Sequence, residues 1–158
     1  MSQQASTPAD KPPGPQPIRH PIYGQQDASY QAAGGLEGIT KLVKDFYHAM
    51  SSLPEAARIR AMHPQDLSVS SDKLTLFLSG WLNGPRLFSA KYGKGFSMPR
   101  AHTHLPIVDD DRIAWMKCMH VALQQQDYEE EFKVYLLAQL NVPASRIVTL
   151  CVHQQANA

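Results

Sequence analysis

The sequence predicts an all-α domain, and three observations carry that prediction. Apolar residues recur at spacings of three and four in successive segments, the pattern that lines one face of a helix. No segment alternates apolar and polar residues as a half-buried strand does. The periodic segments are closed by glycine or proline, the residues that end helices.

Asp27 or Ser29 is placed to cap a short first helix that stops at Gly34-Gly35, where glycine tolerates a left-handed backbone. The second helix puts Ile39, Leu42, Val43, Phe46, Tyr47 and Met50 on one face. The third starts near Ser70 and Ser71, aligns Leu74, Phe77, Leu78, Trp81 and Leu82, and stops before Gly84-Pro85. Asp109, Asp110 and Asp111 open the fourth, where the helix macrodipole favours negative charge. That helix carries Ile113, Trp115, Met116, Met119 and the run Val121 to Leu123. The last helix aligns Phe132, Tyr135, Leu136, Gln139 and Leu140 and is expected to end before Pro143. Residues 51–67 and 86–108 read as long connections rich in Pro, Gly, His and aromatic side chains. Connections of that length inside a compact domain usually carry function or are ordered by a ligand.

A chain of 158 residues holds one domain. Half of its 12 prolines fall at Pro8, Pro12, Pro13, Pro15, Pro17 and Pro21, among Gln, Ser, Ala and Lys. Such a stretch buries too little apolar surface to offset its ordering entropy. Residues 1–22 are therefore expected to form a disordered arm, either a solvated tail or a docking arm, ahead of a domain over residues 23–158. The chain is 43% hydrophobic and 18% charged, and its 15 Lys and Arg against 14 Asp and Glu leave a formal charge of +1. That balance lacks the basic footprint of a nucleic-acid binder. No apolar run approaches bilayer length, and the N-terminal residues are polar where a signal peptide is apolar, so a cytoplasmic protein without a membrane span is expected. Cys118 and Cys151 are too few for a disulfide framework or a cysteine-rich zinc site.

Phosphate-binding glycine loops, G-x-S-x-G and H-E-x-x-H are all absent. Among seven histidines only His102-Thr103-His104 has a suggestive spacing. His102 lies in the long 86–108 connection, followed by Leu105, Pro106 and Ile107, with Lys91, Tyr92 and Arg100 nearby. An imidazole beside an apolar wall and cations suits a planar apolar cofactor bearing carboxylates; the alternative is a buried structural histidine. Taken singly, Tyr47 and Trp115 read as core, and His63 as a loop-surface residue.

Gly34-Gly35 before a helix containing Phe46-Tyr47 is followed by Met62-His63-Pro64 and then by Gly84-Pro85. After these come His102-x-x-Leu105-x-Ile107, Ala114-Trp115 and Cys118-Met119-His120. In this order and spacing, over roughly residues 25–150, the sequence closely resembles the group II (O-type) truncated haemoglobins of bacteria. The resemblance implies a two-over-two helical sandwich around haem b, with an extended loop replacing most of the proximal helix. It implies His102 as the iron ligand; His104 in that role would shift Leu105 and Ile107 out of the family pattern. It also implies a distal side made of Tyr47, His63 and Trp115, with Phe46 on the haem edge. Ser70 at the gate and Leu74 over the iron complete that side. Phe77, Phe88, Leu105 and Ile107 are expected among the haem-contacting residues, and Lys91, Tyr92 and Arg100 are candidates for the propionates. Two departures stand out: a longer N-terminal arm, and extra residues around Leu53 to Ala57 ahead of His63.

The function implied is reversible binding of O2, with CO and NO as further ligands, for oxygen handling or detoxification of reactive oxygen and nitrogen species. Polar distal donors favour retention over delivery. A redox enzyme of NO dioxygenase, peroxidase or peroxynitrite isomerase type is the alternative; having no reductase domain in this sequence, it would draw electrons from an external reductase. A helical interaction module without haem is the third reading, and it predicts no Soret absorbance when haem is supplied. Because residues 1–20 lack apolar side chains to pack on a core, deleting them should leave haem content, CO binding and melting temperature nearly unchanged. A large loss of haem or of melting temperature in the truncated protein would show that the arm docks on the domain.

Overall fold

The computed structural model describes residues 22–157, and every regular element among them is helical. The expected arm lies almost wholly outside the described residues. In chain order the helices are α1 (Ala28–Ala32), α2 (Gly35–Ser52), α3 (Ala57–Ala61), α4 (Ser68–Trp81), α5 (Leu87–Tyr92), α6 (Met98–His102), α7 (Asp109–Gln124) and α8 (Glu130–Ala156), with a 3-10 turn at Pro54–Ala56. Helix α2 packs on α4 and α7, and α7 packs on α8, giving two helix pairs that face one another. The short α5 leans on α4, and α6 leans on α8.

The core follows the apolar stripes. Ile39, Leu42, Val43, Phe46 and Met50 of α2 are buried against Leu78 and Leu82, against Cys118, Met119, Ala122 and Leu123 of α7, and against Phe132, Leu136 and Leu140 of α8. Burying each of the larger side chains stabilises the fold by about 1.5–3 kcal/mol relative to exposure. The periodicity overreaches at two positions: Ile113 is 52% exposed, and Gln139 also faces solvent.

Local chemistry at the helix ends departs from expectation in instructive ways. Neither Asp27 nor Ser29 caps α1 through its side chain. Asp27 instead accepts from Gln31 Nε2 at 3.0 Å, and buried Ser29 accepts the Gly24 N–H at 2.9 Å. Gly34 does adopt the left-handed backbone, with φ at +82°. Helix α4 starts at Ser68, two residues earlier than expected, because Asp66 Oδ1 accepts both the Ser68 N–H (2.9 Å) and its hydroxyl (2.6 Å). At the start of α7 the acidic run is used as predicted, and more specifically. Buried Asp111 accepts the Val108 N–H at 2.9 Å and pairs with Arg58 at 3.0 Å.

The two long connections are not irregular throughout. Residues 51–67 contain the 3-10 turn and α3, and residues 86–108 contain α5 and α6. Helices of five or six residues are too short for the periodicity that reveals longer ones. Pro143 is expected to end the last helix, yet α8 runs through it for 27 residues. Proline removes the bond its N–H would give to the Gln139 carbonyl and costs about 3 kcal/mol. Phe132, Leu136 and Leu140 anchor the helix in the core before the proline, and Cys151 meets the His102 carbonyl after it. Continuity also corrects the reading of apolar runs: α8 has a window of mean hydropathy 1.2 and is long and apolar enough to cross a membrane by length and composition. Here it is the helix that packs against α6 and α7.

At its other end the described chain is tied down from Tyr23, whose ring lies 5.2 Å from Phe132 and 5.0 Å from Tyr135. Close approach of α1 to α2 depends on Gly38. A Cβ there would sit 1.9 Å from the Ala33 carbonyl oxygen, which is itself held by the Tyr128 hydroxyl at 2.8 Å. Alanine at this helical position gains about 1 kcal/mol in propensity, but backbone has to move to admit it. Gly38→Ala should therefore destabilise by a net ~1–3 kcal/mol and lower Tm by about 3–10 °C. A thermal melt showing an unchanged or raised Tm would refute that constraint.

Candidate functional site

Helix α2 supplies adjacent side chains that face the same region. Phe46 is fully buried, and Tyr47 is 8% exposed. The Phe46 ring lies 5.0 Å from Tyr47 and 4.9 Å from Trp115 of α7, while Tyr47 meets His63 edge-on at 5.7 Å. Four of the expected residues thus form one chain of ring contacts, from His63 through Tyr47 and Phe46 to Trp115. Burial pushes the Tyr47 phenol up to about 12, so it stays protonated and able to donate. Its hydroxyl reaches only the Ser70 carbonyl, at 3.4 Å. That is far beyond the usual O–H···O separation of about 2.7–2.8 Å, so the donor is weakly engaged. Among the described residues the Trp115 indole N–H has no hydrogen-bond partner. Ser70 and Leu74 are half-buried on α4 beside this set. An open groove of about 620 Å³ reaches Tyr47 between α2 and α4, lined in part by Val43, Ser68, Ser71 and Thr75.

His102 ends α6 and is half-buried. Its Nδ1 lies 2.7 Å from the Met98 carbonyl oxygen. A carbonyl only accepts, so Nδ1 carries the proton, and in the neutral ring Nε2 keeps a lone pair. Burial lowers the pKa of His102; the Met98 bond opposes that shift, and the charges of His104 and His63 add to it. The ring is accordingly held neutral, the form that can ligate a metal. His104 is exposed. His63 repeats the device, with Nδ1 at 2.7 Å from the Ile59 carbonyl. In its neutral form His63 therefore offers Nε2 as an acceptor, not as the donor expected of a polar distal histidine.

The remaining expected residues divide into two groups. Phe77 and Phe88 meet edge-on at 6.4 Å, and Phe96, which carries no signal in the sequence, lies 4.6 Å from Phe88 and 6.5 Å from Phe77. Leu105 and Ile107 are half-buried in the segment after α6. Lys91 and Tyr92 are brought together by Asp72, which takes Lys91 Nζ at 2.7 Å and the Tyr92 hydroxyl at 2.6 Å. These bonds hold the Asp72 carboxyl below its ordinary range. Arg100 is exposed and makes no ion pair among the described residues. Sequence reasoning misses Asp72, Phe96 and the two backbone acceptors. Only the acceptors leave a trace, since Met98 and Ile59 each lie four residues before a histidine on a helical turn.

This arrangement fits a haem. It offers a neutral imidazole with an unprotonated Nε2, aromatic and aliphatic side chains for a flat apolar macrocycle, and exposed cations for carboxylates at its edge. Two weakly engaged donors, Tyr47 and Trp115, remain for a polar ligand.

Comparison with known proteins agrees. Residues 28–147 match the family model described as "Bacterial-like globin". The group 2 truncated hemoglobin YjbI of Bacillus subtilis is 30% identical over 122 residues, which cover 77% of this chain and 89% of that protein. Among solved structures, the group II 2-on-2 hemoglobin of the plant pathogen Agrobacterium tumefaciens is 34% identical with a TM-score of 0.70, covering 75% of this chain and 92% of that one. A truncated oxygen-avid haemoglobin from Bacillus subtilis is 30% identical with a TM-score of 0.68, covering 76% of this chain and 98% of that one. With an all-helical two-over-two fold and a match over most of its length, the chain belongs to the bacterial-like globins, as a haem-binding truncated haemoglobin of group II.

Proposed function

We propose that the protein holds haem b through His102 and retains O2, with CO and NO as further ligands, in a pocket whose donors are Tyr47 and Trp115. The observation that carries this reading is the pair of underused donors on either side of Phe46. Haem b, when bound, would be held through His102 and would supply a ferrous iron able to take a diatomic. The rest is the work of side chains. The Met98 carbonyl orients the His102 ring and fixes its tautomer. Phe46 spaces Tyr47 from Trp115 and excludes water from the region between them. Tyr47 exchanges a long bond to Ser70 for a better acceptor at little cost. Lys91 and Tyr92, held together by Asp72, are proposed with Arg100 as partners of the propionates. The Bacillus subtilis relative described as oxygen-avid supports retention over delivery. Oxygen scavenging, or detoxification of reactive oxygen and nitrogen species with electrons from an external reductase, is the use such retention suits in a cytoplasmic protein.

The proximal assignment separates two histidines that lie two residues apart. His102→Ala should lose most haem or leave it weakly and irregularly ligated, with a lowered melting temperature because haem stabilises only the folded form. His104→Ala should keep the wild-type ferric, ferrous and CO spectra. The reverse outcome would move the ligand role to His104.

The distal assignment is tested by ligand discrimination. A net hydrogen bond contributes about 0.5–1.5 kcal/mol, and more when the acceptor carries charge. Since ~1.4 kcal/mol is a factor of ten, Trp115→Phe should raise the O2 dissociation rate about tenfold. Tyr47→Phe should act in the same direction, less strongly where Trp115 compensates. CO dissociation should change far less, because CO accepts hydrogen bonds poorly. Stopped-flow measurement of both gases on both variants decides it: equal acceleration would mean that the side chains act as steric gates.

A further inference from the structure

The segment that carries His102 is short of internal support. Helix α6 has five residues, no side-chain cap at its start and a proline in its first turn. A single helical turn of this kind is not stable alone, because nucleation fixes several dihedrals for one hydrogen bond. Residues 103–108, between α6 and α7, have no regular structure. The turn that carries the His102 ring must therefore be held from elsewhere, and the packing of α6 on α8 shows from where.

Two residues near the end of α8 touch the backbone of this segment directly. Fully buried Cys151 has its Sγ 3.1 Å from the His102 carbonyl oxygen, the same oxygen that accepts the Leu105 N–H at 2.9 Å. Burial raises the Cys151 pKa, and the Ile107 backbone N–H partly opposes that shift. The thiol thus donates to the residue that opens the segment. One helical turn later, Gln155 Nε2 donates to the Leu105 carbonyl at 3.2 Å. From the other side, Arg58 donates to the Pro106 carbonyl. Both α8 residues lie beyond residue 147, where the match to the family model ends.

We infer that the C-terminal turns of α8 are a proximal clamp, in which Cys151, with Gln155, is a positioning residue for the His102 ring and through it for the iron. The inference rests on the reading of His102 as the iron ligand. Its physical content is specific. The thiol acts by hydrogen bonding to the peptide that carries the imidazole, not by filling space, and its loss lets that peptide rotate and tilts the ring. S–H is a weak donor, so the effect is a change of geometry and of haem retention, not loss of the fold.

The test uses the full-length haem-loaded protein in four variants: Cys151→Ser, Cys151→Val, Gln155→Ala and His102→Ala. Two readouts are the iron–histidine stretching band in the resonance Raman spectrum of the ferrous, ligand-free form and the rate of haemin transfer to excess apomyoglobin. Cys151→Val fills the space without a donor, whereas Cys151→Ser keeps a donor. The clamp predicts that Cys151→Val shifts the band and speeds haemin loss about three- to tenfold, that Gln155→Ala does so more weakly, and that Cys151→Ser stays near wild type. A packing role predicts the opposite order, with Val near wild type and Ser perturbed, and would overturn the inference. So would an unshifted band with haemin loss within about twofold of wild type in Cys151→Val and Gln155→Ala alike. Failure of the underlying reading looks different: His102→Ala would then retain the wild-type iron–histidine band. Gln155 is exposed, so its substitution leaves the core intact and keeps the test open should a Cys151 variant fail to fold.

Discussion

The hydrogen bond from His102 Nδ1 to the Met98 carbonyl is made within a helix of five residues, and the ligand role proposed for His102 depends on its being kept. It selects the tautomer that leaves Nε2 a lone pair, and it aims the ring. A bond of that kind contributes about 1 kcal/mol net, too little to order the segment that contains it. The segment's order is borrowed instead. Cys151 and Gln155 reach its carbonyls from α8, Arg58 reaches Pro106 from α3, and Asp111 holds the Val108 N–H from α7. Where a longer helix would satisfy its own backbone, the end of this one and the segment after it are satisfied by side chains from three surrounding helices. The constraint also makes sense of α8 itself, which continues through Pro143 although proline costs helix stability there. Had the chain ended its helix at the proline, α8 would not carry Cys151 and Gln155 to the carbonyls of His102 and Leu105.

The side of the site proposed as distal is built on the opposite plan. Tyr47 and Phe46 project from α2, an 18-residue helix whose apolar face is buried against α4 and α7. Their positions are fixed by the core and need no special hydrogen bonds. That leaves the polar atoms uncommitted: the Tyr47 hydroxyl is poorly matched to Ser70, and the Trp115 N–H is unmatched among the described residues. Donors held this way give up little when a better acceptor replaces their present surroundings. Rigid carbon scaffolds and underused donors are what a site needs in order to discriminate ligands by charge instead of by size.

These two plans explain what the amino-acid order reveals and what it conceals. The stripe Ile39, Leu42, Val43, Phe46, Tyr47, Met50 and the stripe ending at Leu82 are written in the helical period, because burial on one face requires it. Gly34 is legible because few other residues adopt φ at +82°. The proximal region is legible only as a long connection. Helices α5 and α6 are too short to repeat the helical period, and α6 with the segment after it is reached from residues 49 and 50 positions away in sequence. Ile113 misleads because the α7 stripe is wider on paper than the face the helix buries. Pro143 misleads because a local rule is overridden by packing on both sides of it. The link from Asp72 to Lys91 and Tyr92 spans 19 and 20 residues and has no local signature at all.

His63 and His102 show how far one local device can be carried in two directions. Each donates Nδ1–H to the carbonyl four residues earlier at 2.7 Å, and each thereby presents an Nε2 lone pair when neutral. Their surroundings make the difference. His102 is preceded by a short helix and followed by an apolar segment, with its charged form disfavoured by burial and by both neighbouring histidines. His63 instead has the edge of a protonated phenol beside it. The His63 ring belongs to the chain of ring contacts that runs through Tyr47 and Phe46 to Trp115, all set by packing on the long helices α2 and α7. The His102 ring belongs to a segment whose backbone is reached from α8 by Cys151 and Gln155. One hydrogen-bonding device thus serves two positions, and what each imidazole can do is set by the side chains packed around it.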